Sequence, residues 1–356
     1  MKSHANLWPR ITSFENFYEA FRRARVGKRA RPDVAAFEFD LEANLFALQQ
    51  ELLDGSYRPG GYRNFVVHEP ARRKISAAPF RDRVVHHALC GVIEPLFDPV
   101  FLPHSYANRV GKGTHRALDR CRALITRYPY VLKADVTKFF PSIDHEVLYA
   151  LLARRIRCAP TRRLMRLVLD SGAGVLAEEY EMAWFPGDTL LSPLERARGL
   201  PIGNLTSQFW ANVYLHELDR FVVRGLGRDA YVRYVDDFLL FGDDKQALHV
   251  VRGKIESFLV ALRLTLHPRK TRVFPVTAGV PFLGFVHTPG RLRLKRDAVG
   301  RFTRRMRRYR RAFAERTLAA GRLGASVQSW VAHAAYGQTY RLRRALLSDL
   351  VFSRPG

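Results

Sequence analysis

Tyr231-Val232-Arg233-Tyr234-Val235-Asp236-Asp237-Phe238-Leu239-Leu240-Phe241 is the stretch on which the fold turns. Apolar, β-prone residues flank two adjacent acids, the pattern of a hairpin with carboxylates at its turn. Two carboxylates about 4 Å apart repel by roughly 4 kcal/mol at an effective dielectric near 20. Such a pair persists either as an exposed Asp-Asp turn in water or beside compensating cations.

A second acidic strand end lies about a hundred residues upstream. Tyr130-Val131-Leu132-Lys133-Ala134-Asp135 reads as a strand, with Val131, Lys133 and Asp135 on one face and Leu132, Ala134 and Val136 on the other. Phe139-Phe140-Pro141 follows, then a helix capped by Ser142 or Asp144. If the two elements share a sheet, three carboxylates converge. Hard oxygen donors of that kind suit Mg²⁺, and two such ions clamp the attacking and leaving oxygens of a phosphoryl displacement.

Cations are abundant. The 356 residues hold 59 Lys and Arg against 33 Asp and Glu, a net charge of +26. That excess implies a polyanionic partner, nucleic acid first and an anionic membrane surface second. The length implies two or three subdomains, and 47% hydrophobic residues excludes wholesale disorder. No apolar run is long enough for a spanning helix, and Met1 to Asn6 lead into no apolar signal core. Cys90, Cys121 and Cys158 are odd in number and unclustered, as expected of reduced thiols in a cytoplasmic protein.

Outward from the two acidic elements, the spacing predicts helices over 11–25 (Ser13 as cap) and 37–53, a strand over Tyr62 to His68, and a helix through Val84 to Ile93. Phe101 to Arg120 reads as a loop, with Arg109 before Gly111 and Gly113, where the backbone can come close to a phosphate; an ordinary turn is the other explanation. Residues 171–198 read as a variable loop, Ser207 to Leu218 and residues 245–263 as helices. From Arg291 onward a helical stretch is crowded with arginines, among them Arg301, Arg304, Arg305 and Arg308, between Phe302, Met306 and Tyr309. It suits a helix packed on one side and lying along phosphates on the other, or else a solvated basic face.

Five ordered motifs now carry a resemblance. Tyr234-Val235-Asp236-Asp237 resembles the Y-x-D-D motif of reverse transcriptases, and Ala134-Asp135-Val136-Thr137-Lys138-Phe139-Phe140 their first catalytic-aspartate motif. Gly199 to Gln208 resembles the motif between them, and Lys270-Thr271 and Phe282-Leu283-Gly284-Phe285 the two later palm motifs. Ile202-Gly203-Asn204-Leu205-Thr206-Ser207-Gln208 replaces the usual Gln-Gly and Ser-Pro. In that it is similar to the reverse transcriptases of diversity-generating retroelements, as are Arg81 to Leu89 and the compact length.

The resemblance implies an α+β right-hand polymerase: an N-terminal extension and fingers over 1–128, a palm with an antiparallel sheet over 129–290 that holds the 171–198 loop, and a basic helical thumb over 291–356. It implies copying of a template-repeat RNA into cDNA with errors at adenines, two Mg²⁺ ions (or Mn²⁺ in their place), deoxynucleoside triphosphates, and a small basic pentameric accessory protein, in a bacterial or phage-encoded setting without a membrane. Asp135, Asp236, Asp237 and the Val136 carbonyl are the implied metal ligands. Arg73, or its neighbours Arg72 and Lys74, would meet the triphosphate together with Gly203, Gln208 and Lys270, the last being a solvated lysine in the alternative. Phe140 would exclude a ribose 2′-OH or else pack in the core. Ile202 stands where more accurate relatives carry a polar residue. Arg81, Arg109, Phe282, Leu283, Gly284 and the four thumb arginines would contact nucleic acid. Retron, group II intron and defence-associated reverse transcriptases are the neighbouring readings, and an inactive RNA-binding scaffold is the non-enzyme one.

Overall fold

The structure, a computed structural model, describes residues 3–68 and 72–353. Met1 and Lys2 of the opening stretch, residues 69–71 and residues 354–356 lie outside it. Helices alternate with three antiparallel sheets: a ribbon of β1 (Arg63–Val67) and β2 (Arg73–Ala77), a four-stranded sheet, and a three-stranded one. The mixed helix-and-sheet class is as expected.

The four-stranded sheet positions the acids. Its strands are β3 (Tyr130–Asp135), β4 (Tyr231–Tyr234), β5 (Asp237–Gly242) and β6 (Arg272–Pro275), in the order β4-β5-β3-β6. β4 and β5 form the hairpin with Val235-Asp236 as its two-residue loop. β3 pairs with β5 on one side and β6 on the other. Both faces are covered. Leu132, Ala134 and Val136 enter a large core with helices Phe80–Phe97 and Leu205–Arg220. Val131, Val232, Leu239 and Phe241 enter a second core with β7 (Val280–Phe282), β8 (Phe285–Thr288) and β9 (Arg291–Leu294). The period-two reading of β3 therefore matches the packing.

The N-terminal helices assemble on Phe80–Phe97. Ser13 caps helix Phe14–Ala24 by accepting a hydrogen bond from the Asn16 amide at 3.2 Å, worth about 1 kcal/mol. Phe17, Ala20, Phe21 and Ala24 form its buried stripe. Asp144 caps helix His145–Ala153 through the Val147 amide at 3.0 Å.

Two expectations need correction, and a third is refined. Phe101 to Arg120 is not all loop, because helix Thr114–Ile125 begins inside it and buries Ala117, Leu118 and Cys121. The stretch from Arg291 is not at once helical. Arg291-Leu292-Arg293-Leu294 alternates exposed arginines with buried leucines, pairs as β9, and only Arg296–Ala314 is helix. The three-stranded sheet thus runs across residue 290. Residues 171–198 are irregular but anchored, since Arg196 is almost fully buried between Asp144, at 3.4 Å, and Asp188. Among the described residues no helix is long and apolar enough to cross a membrane. All three cysteines are buried and unpaired.

Candidate active site

Asp135 ends β3 and lies in register with Asp237, the first residue of β5. Residues directly opposite across an antiparallel pair project to the same side. Asp236 precedes Asp237 on the turn. Its neighbour Val235 has φ +57°, a rare conformation for a β-branched residue, worth about 1–3 kcal/mol of strain. The hairpin and β3 together bring the three sequence-predicted carboxylates to the same end of the sheet, at the tips of its two central strands.

Their electrostatics are those of a crowded acidic site. Burial, followed by repulsion from Asp135, pushes Asp236 up to about 6. Burial also raises Asp237, opposed by Lys133, whose ammonium donates to its carboxylate. Lys270 donates to Asp135 Oδ2 at 2.7 Å. Lys133 was not singled out from sequence as a cation of the site, although its position two residues before Asp135 on the same strand face carried the signal. The backbone beside Asp135 is also tied down. Its carbonyl accepts from the His267 amide at 2.8 Å, and the Thr137 amide donates to the Thr265 carbonyl at 2.9 Å, with Val136 between.

The donors are oxygens, the chemistry a hard divalent cation takes. Among the described residues, no group of three or more His, Cys, Asp and Glu side chains is gathered closely enough to hold a metal ion. Asp135 and Asp236, mutually repelling and partly buried, are the pair whose charge a cation would relieve; Asp237 is occupied by Lys133.

The structure also gathers the predicted nucleotide residues around β2. Arg73 and Lys74 begin that strand, Arg73 exposed. The Ser76 amide donates to the Ile202 carbonyl at 2.9 Å, and Asn204 bridges the Ser76 carbonyl and the Ala78 amide. Gly203 has φ +115°, and a Cβ there would stand 2.9 Å from Ile75, so only glycine fits this close crossing. Asn204, buried and fully engaged, is the joint that sequence reasoning did not assign. Gln208 is exposed on helix Leu205–Arg220. Phe140 is half-buried, edge-on to Phe139 at 5.4 Å, and its carbonyl accepts from the Leu200 amide at 2.9 Å. Glu178 and Glu179 of the 171–198 segment lie 3.7 Å from Lys74 and 3.8 Å from Arg72.

Two predicted nucleic-acid contacts are engaged within the protein itself. Arg109 donates to Asp98 at 2.7 Å and to the Leu102 carbonyl at 2.8 Å, and its side chain is 8% exposed, so it clamps its own loop. Phe282 is fully buried in the second core, because its strand alternation points it inward. Leu283 and Gly284, both at positive φ, form the turn between β7 and β8. His333 packs against that turn. Arg81 is paired with Glu51. On helix Arg296–Ala314, Arg301 is 2.7 Å from Asp297, while Arg305 and Arg308 lie over Phe302 and Tyr309. Phe302 is stacked on Trp330 at 3.8 Å, which fixes the helix's buried side.

A sequence profile described as "Reverse transcriptase (RNA-dependent DNA polymerase)" matches residues 68–287. Protein YkfC of Escherichia coli (strain K12) is 25% identical over 284 residues, 68% of this chain and 71% of that protein. The group II intron-encoded protein LtrA of Lactococcus lactis subsp. cremoris is 26% identical over 186 residues, 51% of this chain and 29% of that protein. Among solved structures, the apo telomerase of Candida tropicalis matches with a TM-score of 0.43 at 12% identity, over 68% of this chain and 49% of that one.

Proposed function

Because the chain belongs to the reverse transcriptase (RNA-dependent DNA polymerase) family, a family of RNA-directed DNA polymerases, we propose that it copies RNA into DNA by nucleotidyl transfer at Asp135, Asp236 and Asp237, as the polymerase of a diversity-generating retroelement. The observation that carries the chemistry is the register of Asp135 opposite Asp237, with Asp236 beside them on the turn.

The oxygen donors and the raised Asp236 carboxyl fit a hard divalent cation. Asp135 and Asp236 would hold it, with the Val136 carbonyl in reach on the same strand end and Asp237 as the adjusting third carboxylate. When bound, Mg²⁺, or Mn²⁺ in its place, supplies positive charge to the reacting phosphate oxygens. The remaining work is the protein's own. Arg73 and Lys74 on β2 orient the triphosphate, and Lys270, a few ångströms from Asp135, holds or protonates the departing pyrophosphate. Phe140 excludes a ribose 2′-OH. Ile202 and Gly203 bound the nascent base pair, with Gln208 one helical turn along. The proposed division is an N-terminal extension with fingers through residue 128, a palm from 129 that extends past the expected 290 to the end of β9 at Leu294, and a thumb from helix Arg296–Ala314 onward, which carries the template and its DNA primer strand on Arg301, Arg304, Arg305 and Arg308.

The finer assignment rests on Ile202 to Gln208. An apolar side chain at 202 cannot hydrogen-bond beside the base pair, which weakens geometric checking. The resemblance to diversity-generating enzymes also implies the small basic pentameric accessory protein and a template-repeat RNA. A second reading has its own support: the similarity to LtrA, whose name says that a group II intron encodes it, favours an intron-type enzyme.

Primer extension on an adenine-containing RNA, with Mg²⁺ and sequencing of the product, separates these. DNA with substitutions concentrated opposite adenine supports the retroelement reading. Accurate copying supports the intron-type reading. No synthesis with either metal, with the accessory protein present, leaves an RNA-binding scaffold and sinks the polymerase reading.

A further inference from the structure

Arg233 is an arginine in the middle of an otherwise apolar strand, and it is 1% exposed. A charge in that place must be fully paired, or it costs several kcal/mol. All five of its N–H groups are engaged. Nε and Nη2 donate to the two carboxylate oxygens of Asp219 at 2.7 and 2.6 Å. Nη2 also donates to Ser105 Oγ at 3.1 Å, and Nη1 to Asn212 Oδ1 at 3.3 Å. The fifth bond runs from Nη1 to the Val235 carbonyl at 2.9 Å.

That last contact is unlike the others. Asp219 and Asn212 belong to helix Leu205–Arg220 and Ser105 to the loop that bridges to Arg233; they fix the guanidinium. The Val235 carbonyl belongs to the same peptide plane as the Asp236 amide, and Val235 is the strained residue of the turn. A strained turn persists only where its surroundings over-determine it.

We propose that Arg233, held by Asp219, is a positioning residue that clamps the Val235–Asp236 peptide and so sets where the Asp236 carboxylate is presented. The planar fork is what the task needs. It grips Asp219 with two donors while a third reaches the turn, and an ammonium cannot span those directions together. A buried ion pair is by itself weak evidence for a stabilising role, because apolar replacements are often as stable; the bond to the turn is what separates positioning from packing. The inference rests on the polymerase reading of the aspartates.

Two variants test it, Arg233→Lys and the apolar double Arg233→Met with Asp219→Leu, each compared with the wild type for Tm, kcat, nucleotide KM, and amide hydrogen exchange over 231–241. In whichever variant folds, the expected result is kcat lowered at least tenfold, KM within about twofold, and faster exchange in 231–241 but not in helix Phe80–Phe97. Wild-type kcat and exchange in a folded variant overturn the clamp. Failure of both variants to fold also overturns it, because the pair is then assigned to stability. Exchange needs no activity: if the wild type makes no DNA yet its hairpin loosens in the variants, the polymerase reading has failed and the clamp has not.

Discussion

Asp135 lies directly opposite Asp237 across β3 and β5, and a different lysine engages each of them: Lys270 the first and Lys133 the second. Asp236, next to both, has no such lysine bond among its described contacts and is the carboxyl pushed up to about 6. The site thus separates two lysine-bonded acids from one raised first by burial and then by repulsion from Asp135.

Replacing Asp236 by Asn should therefore split activity from stability. The folded carboxyl titrates near 6 against an ordinary 3.8, burial being the larger cause and Asp135 the next. Between those values the folded protein binds more protons than the unfolded chain, so stability falls as pH rises from about 4 to about 6 and stays lower above. Asn removes that loss. At pH 7 with EDTA, Asp236→Asn should be more stable than wild type by on the order of 1–2 kcal/mol, the shift being discounted for partial exposure. The gap should close at pH 4, and template-dependent synthesis should be abolished. Thermal unfolding across pH 4–8 beside primer extension checks both; undiminished synthesis would remove Asp236 from the chemistry.

On the proposed mechanism Lys270 and a divalent cation would compete for Asp135. The ammonium is 2.7 Å from Oδ2 and more than half exposed, so it can be displaced. Lys270→Met should lower the Mg²⁺ concentration for half-maximal single-turnover synthesis several-fold while reducing the maximal rate. A Mg²⁺ titration reads both, and an unchanged midpoint would show that the lysine does not occupy the cation's place.

The acids were legible because each ends an apolar strand, and the alternation of Val131, Lys133 and Asp135 was enough to assign the face. Other features depend on partners distant in sequence. Arg109 stands in a glycine-spaced basic loop, yet Asp98 and the Leu102 carbonyl consume its guanidinium. Asn204 reads as one residue of a helix entry, and only the arrival of Ser76 and Ala78 makes it a joint. At Arg291 to Leu294 the arginine density suggested a helix, whereas the period-two leucines, buried against β8 and its neighbours, decided for a strand.

Phe140 offers a test that separates function from packing. Its ring is half-buried and edge-on to Phe139, and its backbone holds Leu200. Phe140→Ala should cost about 1–3 kcal/mol, below the usual cost of a fully buried Phe. It should also raise ribonucleotide incorporation relative to deoxynucleotide at least tenfold. Competition between the two in single-nucleotide extension measures this; the stability loss without the change in selectivity would return Phe140 to the core.

Template affinity should fall steeply with salt, since each phosphate contact contributes about −0.9 to the slope of log K against log salt on a duplex. Arg304→Ala and Arg308→Ala on helix Arg296–Ala314 should each flatten that slope by about 1 without sequence preference. Arg109→Ala should leave the slope unchanged, because its side chain is turned inward. Fluorescence anisotropy on an RNA–DNA hybrid over a salt series reads all three, and an equal loss for Arg109→Ala would mean that the 98–109 loop meets the nucleic acid after all.

Ile202 is the residue on which the proposed mutagenic copying can be tested. Its carbonyl is fixed by the Ser76 amide, and the next residue is a glycine that no side chain can replace without striking Ile75. The backbone at 202 is therefore held in place whatever its side chain, which makes it suited to a side-chain swap. Ile202→Gln adds a donor and an acceptor at that fixed point. In a site where a mispair leaves such a group without its partner, discrimination rises, because an unmet buried polar group costs about 1–3 kcal/mol. Substitutions opposite template adenine should then fall by about tenfold, with little change in extension rate on other bases. Deep sequencing of cDNA made by the two proteins on one RNA measures the spectrum. An unchanged spectrum would mean that errors at adenine, if present, arise elsewhere in the pocket, and the argument for a diversity-generating enzyme would lose its structural support at this residue.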